Sequence, residues 1–170
     1  MDNNLERRVY DNGLVAIAEP VEGKRKAILL VGIDVGAKNE STEKKGGAHL
    51  LEHMMFNSNE YRTREEIAEV SEFNGIETNA STSITQTILN FGLPVDKLPI
   101  SLELAYQAVI SRNYREEEFL NEKDGPVSAE LVMYERDPGS RFAERSVRPI
   151  LYKGSPMARQ LLVHFNLLGL

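Results

Sequence analysis

The chain contains no cysteine and no tryptophan, and only 3 of its 170 residues are histidine. The lack of cysteine excludes disulfides and thiolate metal ligands, although it does not fix the cellular compartment. No apolar run is long enough to span a bilayer, and residues 1–8 carry acids and have no apolar core. We therefore expect a cytoplasmic protein without a signal peptide, a mitochondrial presequence or a membrane anchor.

The charge balance argues against nucleic acid as a partner. The net charge is −6 at pH 7 and there is no basic stripe, so a polyanion would be repelled. A hydrophobic content of 41% and a charged content of 27% are typical of a soluble globular protein. The length of 170 residues suits one domain, residues 1–170, that buries most of its apolar surface.

Residues 49–53, His-Leu-Leu-Glu-His, are the most informative segment. Two histidines four positions apart on a helix lie about 40° apart around its axis and one turn apart along it. Both imidazoles can then bind one Zn²⁺, while Glu52 projects close to the same face, beside the position for a water. A zinc hydrolase needs such nitrogen ligands and a carboxylate that accepts a proton from the water. The pair alone is incomplete, because a catalytic zinc site needs a third protein ligand.

A candidate third ligand is Glu130, which follows His53 with 76 residues between them (130 minus 53, less one). An H-x-x-E-H motif with a glutamate at this distance resembles the signature of the pitrilysin-like metallopeptidases, or inverzincins. That family includes insulin-degrading enzyme and the mitochondrial processing peptidase. Flanking segments are also similar to the family: Gly46-Gly47-Ala48, Met54-Met55-Phe56, residues 64–68, Asn79-Ala80-Ser81-Thr82 and Met133-Tyr134-Glu135.

The resemblance implies a zinc-dependent endopeptidase and assigns roles to four residues. His49, His53 and Glu130 would bind Zn²⁺, and Glu52 would act as the general base in the hydrolysis of an extended peptide. An alternative role for Glu52 is to orient one of the histidines.

The resemblance also implies roles for residues around the metal. Glu122 would be the carboxylate that orients a histidine, although it lies one position further from Glu130 than is usual in the family. Asn79 and Ala80 would lie on an edge strand that pairs with the substrate backbone, whereas the ordinary alternative is a strand end with asparagine in a turn. His164 lies in an apolar tail, and we expect it to be structural.

The pattern of apolar residues predicts an α+β fold, with a mainly antiparallel sheet, helices packed on one side and the zinc site on two helices. Residues 11–13, Asp-Asn-Gly, predict a turn between two strands. The continuously apolar residues 27–35 predict a central strand covered on both faces. Further predictions are a buried helix at 48–56, a helix capped by Thr63 and ended by Gly75, strands within 78–93 and a helix at 98–110. Another helix begins at Arg115, and Gly125-Pro126 interrupts or restarts it before the helix of Glu130.

The chain departs from the family in size, because family subunits usually carry two homologous domains. The second half supplies groups that hold the substrate, so we expect a homo-oligomer or a partner subunit to complete the cleft. Two alternatives are a non-catalytic zinc-containing peptide-binding or assembly module that acts through a partner, and an inactive fragment with a structural zinc. The apolar tail after Arg159 would pack as a final element, mediate oligomerisation or mark a truncated chain.

Overall fold

The computed structural model describes residues 4–41 and 44–158. Strands β1 (Glu6–Val9) and β2 (Val15–Ala18) pair with each other as an antiparallel hairpin. Gly13 has a φ of +87° in the connecting turn, a conformation that glycine adopts without steric cost. The predicted turn at 11–13 is therefore confirmed, whereas His164 and the whole apolar tail after Arg159 lie outside the described residues.

A three-stranded antiparallel sheet carries the rest of the fold. Its strands are β3 (Lys26–Ile33), β4 (Glu77–Thr82) and β5 (Thr87–Pro94), in the order β3-β5-β4. Both pairings are antiparallel, and Leu89 and Phe91 of the middle strand are completely buried. The predicted α+β class with a mainly antiparallel sheet is confirmed.

Among the described strands, β3 lies at an edge of this sheet, in contrast to the prediction of a central strand covered on both faces. Ile28 and Leu30 are 73% and 59% exposed, while Leu29 on the opposite face packs against the core. An apolar run indicates burial on both faces only where a second layer is present. The described residues supply such a layer on one face of β3.

Leu29 and Phe91 lie on the face of the sheet that packs against helical residues of the core. Helix α3 (Leu98–Ile110) contacts β3 and β5, while α1 (Gly47–Met54) and α2 (Arg64–Phe73) contact β4. Leu51 is 41% exposed, so α1 is only partly the buried helix that its sequence predicts. No helix among residues 4–41 and 44–158 combines the length and apolarity needed to cross a membrane. The bounds are α1 Gly47–Met54, α2 Arg64–Phe73, α3 Leu98–Ile110, α4 Glu116–Glu122, α5 Ser128–Arg136, α6 Pro138–Phe142 and α7 Arg148–Leu151.

Helices α4 and α5 are joined by a π-helical turn, Lys123–Val127, with Pro126 inside it. Proline lacks an N–H and cannot donate to the preceding turn, which a wider turn accommodates. The Ser128 hydroxyl donates to the carbonyl oxygen of Lys123 at 2.7 Å, so this acceptor remains satisfied. The α-helical pattern is thus interrupted at Gly125-Pro126 and restarts at Ser128, as predicted, although the backbone stays helical through the π-helical turn.

Candidate metal centre

The structure brings together the three side chains that the sequence analysis proposes as metal ligands. Nε2 of His49 and Nε2 of His53, both on α1, lie 3.3 Å and 3.4 Å from Oε2 of Glu130 on α5. One ligand atom from each residue can be chosen so that all three lie within 4.8 Å of one another. In the part of the chain that the structure describes, no other group of histidine and acidic side chains converges in this way.

The two nitrogen–oxygen distances to Glu130 fit a shared zinc ion better than two ordinary hydrogen bonds. Two ligands at about 2.0–2.1 Å from a tetrahedral zinc are about 3.3–3.4 Å apart, which matches both nitrogen–oxygen distances. The same distances are longer than the ordinary N–H···O range of about 2.7–3.2 Å. Two imidazoles and one carboxylate also form a donor set used by zinc hydrolases, which leaves a fourth position for water.

Burial favours the neutral form of His49, which is only 6% exposed. Desolvation lowers the pKa of its imidazole below the ordinary histidine value, and this outweighs the opposing charges of Glu130 and Glu52. A neutral imidazole keeps the lone pair that a metal ligand must donate. His49 is therefore in the ligating form at neutral pH.

His53 lies between two carboxylates. Its Nδ1 is 3.4 Å from Oε2 of Glu122, while its Nε2 faces Glu130. A proton on Nδ1, directed at Glu122, leaves the lone pair of Nε2 directed at the metal position. Glu122 thus lies beside a histidine, where the family resemblance leads us to expect an orienting carboxylate.

The π-helical turn explains how Glu122 and Glu130 face the same histidine pair. The two residues are eight positions apart (130 minus 122), which on a regular α-helix turns the second side chain about 80° away from the first. A π-helical turn accommodates one additional residue in a helix. The extra position relative to the family spacing is therefore absorbed between the two carboxylates.

Glu40 stabilises the start of α1, and no sequence pattern predicted this. Its Oε2 accepts the backbone N–H of Gly46 and its Oε1 accepts that of Ala48, both at 2.9 Å. The first N–H groups of a helix lack partners within the helix and form the positive end of its dipole. Glu40 belongs to a loop well before the helix, outside the local spacing of a capping box, so only the structure reveals this contact.

Two further residues that the sequence analysis did not assign to the site contact the buried carboxylate of Glu122. The guanidinium Nη1 of Arg64 donates to Oε1 of Glu122 at 3.0 Å, and the side-chain amide of Asn57 donates to the same oxygen at 3.3 Å. Arg64 was noticed only as part of a family-like segment. A signal for Asn57 was absent, because its partner is distant in the sequence.

Glu52, Asn79 and Ala80 all line a cleft of about 340 Å³ beside the metal group. Glu52 is half-buried, and its negative charge acts on His49. Strand β4 is an edge strand of the described sheet, as expected, and Asn79 lies within it instead of in a turn. The Asn79 side-chain oxygen accepts the backbone N–H of Ala80 at 2.9 Å. The other lining residues are His53, Phe56, Asn57, Arg64, Thr78, Glu122 and Pro126.

An antiparallel sheet beside one helix with an H-x-x-E-H motif and another with a glutamate defines the class of inverted-motif metallopeptidases. The chain belongs to the insulinase family, peptidase family M16, whose family model matches residues 15–164. The resemblance read from the sequence is therefore confirmed.

Relatives and a solved structure are longer than this chain. The zinc protease PqqE of Helicobacter pylori is 38% identical over 114 residues, which cover 66% of this chain and 26% of that protein. A probable mitochondrial-processing peptidase subunit beta of Schizosaccharomyces pombe is 24% identical over 161 residues, which cover 92% and 34%. The crystal structure of a Helicobacter pylori protease aligns with a TM-score of 0.86 and 27% identity over 97% of this chain and 40% of that one. The chain thus spans about a third of the length of the curated relatives it matches.

Proposed function

We propose that the chain is the zinc-binding domain of an endopeptidase that hydrolyses extended peptides. The observation that carries the proposal is the approach of His49 Nε2 and His53 Nε2 to Oε2 of Glu130, at zinc-like spacing beside Glu52. Membership of the insulinase family, with relatives named as zinc proteases, supports it. His49, His53 and Glu130 would hold the ion.

The residues of the cleft would have separate roles in peptide hydrolysis. A bound zinc ion would supply Lewis-acid chemistry, lowering the pKa of water and polarising the peptide carbonyl. Glu52 would accept a proton from the attacking water and return it to the nitrogen of the departing amine. Glu122 would keep the Nδ1 proton of His53 in place.

The edge strand β4 would position the substrate. An edge strand presents unpaired backbone N–H and C=O groups, to which an extended peptide can add as a further strand. Asn79 and Ala80 line the cleft, so a peptide on this edge would pass beside Glu52. The Asn79 side chain would leave the Ala80 N–H as the peptide backbone takes its place.

The proposal is tested with Glu52→Gln, measured for zinc content and for turnover of a quenched-fluorescence peptide library with and without chelator. The variant should keep about one zinc per chain and lose activity by at least about 10²-fold, the lower end of what general-base catalysis contributes. Glu69→Gln, an exposed glutamate on α2, is the matched control and should behave as the wild type. Undiminished turnover by zinc-loaded Glu52→Gln would contradict the assignment of the base.

A second candidate function is a non-catalytic zinc-containing peptide-binding or assembly module that acts through a partner, and the partial coverage of related proteins supports it. The chain covers only 40% of a related protease structure, so groups from a second domain or subunit would complete the cleft. Stoichiometric zinc and peptide binding without cleavage, until a partner is added, would favour this candidate. Chelator-sensitive cleavage by the chain alone would exclude it.

A further inference from the structure

We propose that Arg64 is a positioning residue, which together with Asn57 holds the Glu122 carboxylate against His53 and thereby strengthens zinc binding. The inference rests on the proposed function, since it takes His49, His53 and Glu130 as the zinc ligands. It assigns a role in metal binding to a residue that would contact neither the metal nor a ligand.

Glu122 needs partners because its side chain is only 7% exposed. A buried carboxylate is costly unless hydrogen bonds or an opposite charge replace the lost water. Arg64 provides the charge at 3.0 Å, and the Asn57 amide provides a second donor at 3.3 Å. These two contacts replace lost water at the Glu122 carboxylate and hold it in a fixed orientation within the site.

The two oxygens of Glu122 have separate partners. Both Arg64 and Asn57 donate to Oε1, which leaves Oε2 to face Nδ1 of His53 at 3.4 Å. A carboxylate whose one oxygen is fixed has little freedom to turn the other away from the imidazole. The ring of His53, and with it the direction of its Nε2 lone pair, is therefore set by contacts that begin at Arg64.

Arg64 is itself well anchored. Its Nη1 also donates to Oδ1 of Asn57 at 3.1 Å, and its backbone N–H donates to the Ser58 hydroxyl at 2.9 Å. Asn57 is 2% exposed, and its amide donates to the backbone oxygen of His53 at 2.9 Å. The hydrogen bonds thus run from the start of α2 to the end of the histidine helix, and they bind α4 through Glu122.

Arg62 provides a matched control two positions earlier. Its Nη2 donates to Glu103 on α3 at 2.8 Å, and its Nη1 donates to Gln107 on the same helix. Like Arg64, it is a paired arginine that joins two parts of the fold. It contacts α3, whereas Arg64 contacts the group around the metal position.

The experiment measures zinc affinity of the purified chain by competition with a chromophoric chelator. We expect Arg64→Met to weaken binding about 10-fold, the lower end of the effect known for partners of metal-binding histidines. Arg64→Lys keeps a cation near Glu122 and should recover most of the affinity. Arg62→Met should bind zinc as the wild type does, even if its metal-free form unfolds at a lower urea concentration.

Replacing zinc with cobalt provides a spectroscopic measurement that a loss of stability alone would not change. The visible absorption of bound Co²⁺ should change in Arg64→Met, because the His53 ring is less well oriented, and should be unchanged in Arg62→Met. Wild-type zinc affinity and cobalt spectrum in Arg64→Met would overturn the inference, as would an equal effect of Arg62→Met. Failure of the proposed function is distinguishable, because the wild type would then bind no zinc, or His49→Ala would bind it equally well.

Discussion

The carboxylate of Glu40 accepts the backbone N–H of Ala48 at 2.9 Å. This contact stabilises the first turn of α1, the helix that carries both candidate histidine ligands. The same carboxylate accepts the N–H of Gly46. Two charge-assisted hydrogen bonds at a helix start are worth more than neutral ones, because the acceptor is also attracted by the helix dipole.

Glu40→Gln should therefore lower the free energy of unfolding of the metal-free chain by about 1–2 kcal/mol, since the amide loses the charge and one acceptor. Urea denaturation followed by circular dichroism measures the change. Glu69→Gln, at an exposed position of α2, should shift it by less than about 0.5 kcal/mol. Equal effects of the two substitutions would show that the contact with α1 is not responsible.

Gly36 is required by a close approach of two backbone segments. A Cβ atom there would lie 2.4 Å from the carbonyl oxygen of Ser83 and 2.8 Å from the backbone nitrogen of Gln86. Gly36→Ala should destabilise the chain by about 1–3 kcal/mol, because backbone must move to make room. Gly32→Ala is the control, since a Cβ at Gly32 meets nothing within 4 Å. Equal thermal midpoints for the two variants would contradict the steric explanation.

Thr63 begins the helix that carries Arg64. Its side chain accepts the N–H of Glu66, whose carboxylate in turn accepts the N–H of Thr63, forming a capping box. Thr63→Ala should cost about 1 kcal/mol of unfolding free energy, while Thr63→Ser keeps the hydroxyl and should cost much less. Urea midpoints of the two variants test this, and identical losses would assign the effect to the methyl group instead of the cap.

Acidification should destabilise the metal-free chain through His49. Burial lowers its pKa in the folded state, so the unfolded chain takes up a proton at a higher pH than the folded one. The free energy of unfolding should then fall as the pH drops below about 6.5, the pKa of histidine in the unfolded chain. Below the pKa of His49 in the folded chain, this residue should cause no further loss.

Urea midpoints measured at about pH 7.5 and about pH 5.5 for the wild type and His49→Gln isolate this effect, since other titrating groups are shared. The wild type should lose more stability than the variant over this interval. Parallel losses would mean that His49 is not the group responsible.

The sequence predicted those elements whose signals are local. The turn at residues 11–13, the cap at Thr63 and the helix Leu98–Ile110 depend on residues within a few positions of one another, and the structure confirms them. The approach of His49 and His53 to Glu130 was expected from the motif and its distance to the glutamate, although spacing alone gives no geometry.

Features that depend on distant contacts were missed or wrong. The edge position of β3 in the described sheet depends on which strands pair. Its residues are apolar on both faces, so the sequence does not show which face is exposed. The contacts of Arg64 and Asn57 with Glu122, and of Glu40 with α1, join segments that are separate in sequence. Gly125-Pro126 predicted that the helix is interrupted or restarts there, but not the form of the interruption, because a π-helical turn has no simple sequence signal.

The π-helical turn at Lys123–Val127 also sets the tolerance of the chain to changes in length. Deletion of Gly125 would leave Glu122 and Glu130 seven positions apart, and a regular α-helix keeps such residues on one face two turns apart. Insertion of one residue there would instead swing Glu130 about 100° away from the histidines. This short segment is where one residue can be lost, but not gained, while both carboxylates still point at α1.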